Sequence, residues 1–164
     1  METKTQKIVL SALLASLVCV ATMIIKIPSP LKGYLNLGDC VVLLAGWVLS
    51  PAYGFLAAGI GSALADVFSG YIIYAPATFV IKGIMAIVAH FVFNILKEKT
   101  SCLVSRIVSG TLAEIEMVGG YFLFEGFMYG FLPSVVNIPA NAVQGVAGLM
   151  LGILLVRIFE KSKL

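Results

Sequence analysis

The apolar residues of this chain fall into blocks too long for a water-soluble fold and, in two cases, too long for one membrane crossing. The blocks run over roughly 8–25, 40–68, 77–96 and 107–156. Each approaches or exceeds the ~18–20 residues that cross a bilayer as a helix. At 1.5 Å per residue, a single helix would be roughly 45 Å long over the second block and roughly 75 Å over the fourth. The hydrocarbon core is only about 30 Å thick, so both must break. "LSPAYG" places Pro51 in the second block, and "YGFLPS" places Gly130 and Pro133 in the fourth; proline removes a helix donor, and glycine frees the backbone to turn. The expectation is an all-α integral membrane bundle of six transmembrane helices, a single membrane-embedded domain over residues 1–164. Its spans lie at roughly 8–26, 38–50, 53–69, 77–96, 104–129 and 135–158.

Composition agrees with that class. Hydrophobic residues make up 60% of the chain, charged ones 12%, and mean hydropathy is +1.07, where a soluble domain has about 25% charged residues. The first apolar run, behind Lys4 and Lys7, is long for a secretory signal. The "KIPSPLKG" that follows offers no small-residue cleavage site, so it reads as a retained helix.

Six spans put both termini on one side. Lys4, Lys7, Lys97, Lys99, Arg106, Arg157, Lys161 and Lys163 then share a face, with Lys26 and Lys32 opposite, which makes both termini cytoplasmic in a prokaryotic plasma membrane. A five-span chain would give the same charge split with its N-terminus outside, so length rather than charge argues for six. The net charge of +3 lies in these clusters and gives no reason to expect nucleic acid. Cys19, Cys40 and Cys102 are widely spaced without a CxxC and read as packing residues. In the first helix Ser11, Ala15 and Cys19 recur every four residues. Such a stripe packs either against the chain's own helices or against a partner membrane protein.

Polar residues inside the spans are costly, about 2.5–3.5 kcal/mol for a charge at mid-bilayer, and usually face an interior or a cavity. In "SALADVFSGYIIYAPATFVIKG", residues 62–83, Asp66 and Lys82 sit on consecutive antiparallel helices just below the outer surface. They are expected to pair, as a structural salt bridge or as the charged rim of a pocket. At the same depth lie Tyr34, Asn36 and Asp39 of "GYLNLGD", together with Tyr71, Tyr74 and Tyr129. Asn137, Asn141 and Gln144 share one face of the sixth helix, and Glu114, Tyr121 and Glu125 one face of the fifth. Amides and tyrosines beside a few charges, walled by aliphatics, suit a small polar heterocycle. Tyr34, Asn36, Asp39, Tyr74, Lys82, Tyr121, Glu125, Asn137, Asn141 and Gln144 are the expected substrate-binding residues. Glu116 points away from Glu114, and the lone mid-helix His90 reads as a satisfied interior histidine.

No catalytic residues, metal site or cofactor are expected. "GIGSA" lacks the form of an intramembrane serine protease, and neither HExxH nor a His/Cys cluster occurs. Without GxxxxGK[ST] the chain cannot use ATP itself, and it lacks the paired halves of a secondary transporter.

The segment 27–83 resembles the substrate-binding S-components of energy-coupling factor (ECF) transporters, in particular the riboflavin-type group. The likeness rests on "GYLNLGD", "GIGSALAD" and "GYIIYAPATFVIKG". It implies a six-helix protein that captures a vitamin or precursor at the outer face for ATP-driven uptake. The implied partners are a membrane coupling subunit, two cytoplasmic ATPase subunits and membrane lipid, and the S-component topples in the membrane to release its substrate. In such proteins a first-helix small-residue stripe docks on the coupling subunit, here Ser11, Ala15 and Cys19, and the loop 27–38 would cover the pocket. The acids Glu114 and Glu125 favour a protonated or amine-bearing ring, pyridoxine-like or hydroxymethylpyrimidine-like, over the larger neutral riboflavin. Two readings from other classes stay open on the residues alone: an autonomous ion-coupled transporter and a ligand-free membrane scaffold.

Overall fold

The computed structural model describes residues 3–29, 31 and 33–162, without the side chain of Ser162; Lys32 and Lys163, named above, lie outside the described residues. Helix α1 (Lys4–Ile24) opens on a capping box, in which the Thr3 hydroxyl accepts from the Gln6 amide and the Gln6 side chain accepts from the Thr3 amide. A short antiparallel hairpin follows, β1 (Ile27–Pro28) and β2 (Tyr34–Leu35), with Ile27 opposite Leu35. Then come α2 (Asp39–Val48), α3 (Pro51–Phe68), α4 (Ala75–Leu96) and α5 (Cys102–Tyr129). The chain ends in a four-residue α6 (Phe131–Ser134), one 3-10 turn (Val135–Asn137) and α7 (Ile138–Ser162).

The breaks fall where proline and glycine require them. Pro51 occupies the first turn of α3, where its missing N–H costs nothing. Gly70 turns the chain out of α3 at φ +85°, and the Tyr71 amide donates back to the Asp66 carbonyl at 2.8 Å, the Schellman closure that a left-handed glycine permits. Gly130, at φ +96°, separates α5 from α6.

Among the described residues, five helical segments are long and apolar enough to cross a membrane: α1, α3, α4, α5 and the run Phe131–Lys161. The expected second span is the exception. Helix α2 has 10 residues, roughly 15 Å and half a bilayer. It can be short because it does not face lipid. Nine of its ten residues are buried, and α1, α3, α4 and α7 pack around it. Residues 31 and 33–36 complete the path beside the start of α7, the Leu31 amide bonded to Asn137 just before that helix and the Asn36 amide to Gln144 seven residues further on, a descent of roughly 10 Å. Non-helical backbone at this depth is tolerated because it is buried against protein.

The core is built on α2, with Val42, Leu43 and Ala45 fully buried against Met85 and Ala86 of α4 and Met117 of α5. Leu13, Leu17 and Val20 of α1 are exposed, as are Phe127, Leu132 and Leu154, and present apolar surface to lipid. The small-residue stripe of α1 faces the other way. Ser11 and Cys19 are buried, and a side chain on Gly61 of α3 would collide with the Ala15 carbonyl and with Val18. Packing within the chain engages Ser11 and Cys19, while Ala15 stays partly exposed. Cys19 and Cys40 are buried thiols, but Cys102 is exposed at the start of α5, a correction to its reading as a packing residue.

Candidate functional site

At the end of the bundle formed by the C-termini of α1, α3 and α5 and the N-termini of α2, α4 and α7 lies a polar cavity. Its walls include Asp66 of α3, Thr78 and Lys82 of α4, Tyr121 and Glu125 of α5, and Asn141 and Gln144 of α7. The hairpin segment closes it with Tyr34 and Asn36. Its volume is about 30 Å³, room for one or two waters, where a vitamin-sized ligand needs several hundred. A ligand of that size does not fit in the cavity as the hairpin closes it here.

The hairpin is held on two sides. Towards α7, the Leu31 amide donates to Asn137 Oδ1 at 3.2 Å and the Asn36 amide to Gln144 Oε1 at 2.9 Å. Towards α3, the Tyr34 hydroxyl donates to Asp66 Oδ1 at 2.7 Å, and Lys26 Nζ to Ser69 Oγ at 3.1 Å. Burial, and then the Asp66 carboxylate, push the Tyr34 phenol above its ordinary range, so it remains a donor. Tyr34 also lies on Tyr71, with ring centroids 4.6 Å apart.

The expected pairing of Lys82 with Asp66 is corrected by this geometry. Lys82 is ion-paired with Asp39 at the start of α2, both side chains being 2% exposed or less, and Asp66 takes the tyrosine instead. The swap follows from position. Asp39 opens the central helix beneath the cavity, where its other oxygen accepts from Gln144 Nε2 at 2.6 Å. An ammonium two turns into α4 thus meets a carboxylate already fixed by an amide. Glu125 is anchored similarly: its Oε1 accepts from Asn137 Nδ2 at 2.7 Å and from the Tyr74 hydroxyl at 3.4 Å.

Of the ten residues expected from the sequence, eight line the cavity; Asp39 and Asn137 stand one layer behind, holding Lys82, Glu125 and the hairpin. Asn141 differs from Asn137, in the turn before α7, and from Gln144 of α7, because its amide has no hydrogen-bond partner among the described residues. Glu114, on the same face of α5 as Tyr121 and Glu125, lies deeper. Its carboxylate is buried against Gly145 and Gly148 of α7, with both oxygens unpartnered. Sequence reading missed Thr22, Ser29, Ser62 and Thr78 in the lining. Small hydroxyls bond readily to their own helix, so in an apolar span they carry no pattern that marks a cavity. His90 is satisfied as expected, its Nδ1–H donating to the Gly46 carbonyl at 3.2 Å.

A buried polar cavity under a hairpin, within a bundle of membrane-spanning helices, is the architecture of a membrane-embedded small-molecule binding protein. The profile of the ECF-type riboflavin transporter, S component, matches residues 2–161, and the chain belongs to that family. A protein of Pyrococcus woesei described only as uncharacterized is 38% identical over 137 residues, 82% of this chain and 88% of that protein. Among solved structures, the S component of a bacterial ECF transporter superposes with a TM-score of 0.73 at 22% identity, covering 97% of this chain and 98% of the other. The S-component for biotin from an ECF-type ABC transporter gives 0.67 at 15% identity, covering 98% and 95%. The chain is thus a substrate-binding S component, a transporter subunit rather than an enzyme, with the fold those structures share.

Proposed function

We propose that this chain captures a small, ring-based vitamin or vitamin precursor bearing a protonated or hydrogen-bond-donating nitrogen, pyridoxine-like or hydroxymethylpyrimidine-like. One observation carries the reading. Asp66 Oδ2 and Glu125 Oε2 are buried carboxylate oxygens without partners, belonging to residues that line the cavity from α3 and α5. Lone pairs so placed are expensive unless a ligand donates to them. Between them the unengaged Asn141 amide offers both a donor and an acceptor, and Tyr74 and Tyr121 supply aromatic walls. Two carboxylates facing one cavity favour a ring that carries positive charge over a neutral flavin, which could offer them only neutral donors.

The direction of capture rests on charge. Lys4, Lys7, Lys97, Lys99, Arg106, Arg157 and Lys161 belong to helix ends away from the cavity, whereas Lys26 lies beside it. The positive-inside tendency then puts both termini in the cytoplasm and the cavity on the outer side. A coupling subunit and two ATPase subunits would supply energy and release the ligand inward.

The test is a titration of the purified chain with pyridoxine, hydroxymethylpyrimidine and riboflavin, alongside native mass spectrometry of whatever co-purifies. Saturable binding of one of the small rings, in preference to riboflavin, is the expected outcome. Tight riboflavin binding would overturn the substrate class, and a protein that binds and carries no heterocycle would overturn capture altogether.

A further inference from the structure

A second cavity, of about 350 Å³, opens at the other end of the bundle, where the start of α1, the α2–α3 junction and the end of α4 meet. Its character is the reverse of the first. Lys7 and Lys97 line it, and no acidic residue does. Neither ammonium has a partner among the described residues. His90, Asn94 and Lys97 fall at i, i+4 and i+7, so one face of α4 turns its polar groups into the space.

The α2–α3 junction adds backbone donors. Ser50 caps α3, but its side chain takes no capping hydrogen bond, and Pro51 brings no N–H. The amides of Ala52 and Tyr53 in the first turn therefore lack intrahelical acceptors, and a helix start favours an anion. Tyr53, Trp47 and Phe93 form the apolar part of the lining. Beyond the cavity, Ile8 and Val9 of α1 and Phe91 and Ile95 of α4 are 50–59% exposed, so both lysine-bearing helices carry apolar surface beside their charges.

We propose that this cavity is a binding site for the phosphate head group of an acidic phospholipid. The phosphate is held between Lys7, Lys97 and the first turn of α3, with the acyl chains along the exposed faces of α1 and α4. Two unmatched cations set into a helix bundle near the membrane surface select an anionic head group, and the flanking aliphatics favour a lipid over a free anion. The site is independent of what the polar cavity at the other end binds.

The experiment is a set of melting curves on the full chain in neutral detergent. Short-chain phosphatidylglycerol, phosphatidylcholine of equal chain length, and inorganic phosphate are added separately. At roughly a hundredfold excess over its Kd, phosphatidylglycerol should raise Tm by about 5–10 °C. Phosphatidylcholine and phosphate should give little. The Lys7→Gln/Lys97→Gln variant, with Lys97→Gln alone as a milder second, should melt like the parent without lipid and lose most of the phosphatidylglycerol shift. Equal shifts from both lipids, or an undiminished shift in the double variant, would overturn the site. An equal, lysine-dependent shift from inorganic phosphate would overturn its assignment to a lipid.

Discussion

Lys82 and Asp39 form an ion pair in the interior of the bundle, linking α4 to the first turn of α2. The pair is not isolated. Gln144 of α7 donates to the second Asp39 oxygen, and the ammonium lies 5.4 Å from the centre of the Tyr121 ring. Removing one member leaves the other charged and desolvated, at a cost of about 3–5 kcal/mol, while an apolar replacement of both can be near neutral. Lys82→Met and Asp39→Leu should therefore each lower the melting temperature sharply, and the double variant should recover much of the loss. Melting curves of the three variants measure the coupling; losses that simply add would show that the two residues are energetically independent.

Asn137 and Gln144 are committed to holding the hairpin, Glu125 and Asp39. Asn141, between them on the same face, holds nothing. Asn141→Ala should accordingly weaken ligand binding by at least tenfold, about 1.4 kcal/mol, with no change in the melting temperature of the free protein. Calorimetric titration against the ligand found by mass spectrometry reads the affinity, and a thermal melt of the free protein reads its stability. Unchanged affinity would remove Asn141 from the site.

The Tyr34–Asp66 hydrogen bond closes the hairpin onto α3. Tyr34→Phe keeps the stacking on Tyr71 but takes the 2.7 Å donor away from Asp66 Oδ1, a penalty of about 1–3 kcal/mol. The expected result is faster amide hydrogen exchange across residues 33–36 and a faster ligand off-rate. Exchange at the parent rate would show that α7 alone holds the hairpin.

Much of this architecture could be read from the chain because bilayer thickness is a hard ruler. Blocks of 29 and 50 residues (40–68 and 107–156) had to break, and Pro51 and Gly130 mark where they do. The depth of α2 was less legible. A run of apolar residues looks the same whether lipid or protein surrounds it, so nothing marked the second span as a ten-residue helix enclosed by the others. For the polar residues, periodicity gathered Asn137, Asn141 and Gln144 on one face but could not say which would serve the scaffold. Lys82 was matched with Asp66 because they neighbour each other across one turn. The pairing with Asp39 depends on where α2 begins, which the intervening hairpin sets.

Helix α3 packs closely on α1 at Gly61. A β-carbon there would lie 2.8 Å from Val18 Cβ, and would also press on the Ala15 carbonyl. Backbone cannot yield as a flexible side chain does, so Gly61→Ala should cost about 1–3 kcal/mol through overpacking, and Gly61→Val more. Gly119, with nothing within 4 Å, is the control: Gly119→Ala should be neutral or stabilising, because alanine is the better helix former. Parallel thermal melts of the three variants would expose the idea as wrong if Gly61→Ala proved as harmless as Gly119→Ala.

Glu114 presents the opposite case, a side chain the fold would do better without. Both its oxygens are buried and unpartnered. Its stem borders an apolar cavity of about 290 Å³ between α5 and α7, lined by Ile115, Val118, Val146 and Leu149, and its head lies between the glycines of α7 near Asp39. A buried carboxyl group without partners costs about 1–3 kcal/mol, and methionine would fill the same length with no polar atom to satisfy. Glu114→Met should therefore raise the melting temperature by several degrees, at about 2–4 °C per kcal/mol. Ionisable groups inside membranes mark working sites, so the same variant should impair the ligand-driven step, lowering uptake by the assembled transporter or affinity for the ring. A variant both more stable and fully active would show that Glu114 has no part in transport; a less stable one would show that the carboxyl group is already satisfied within the fold.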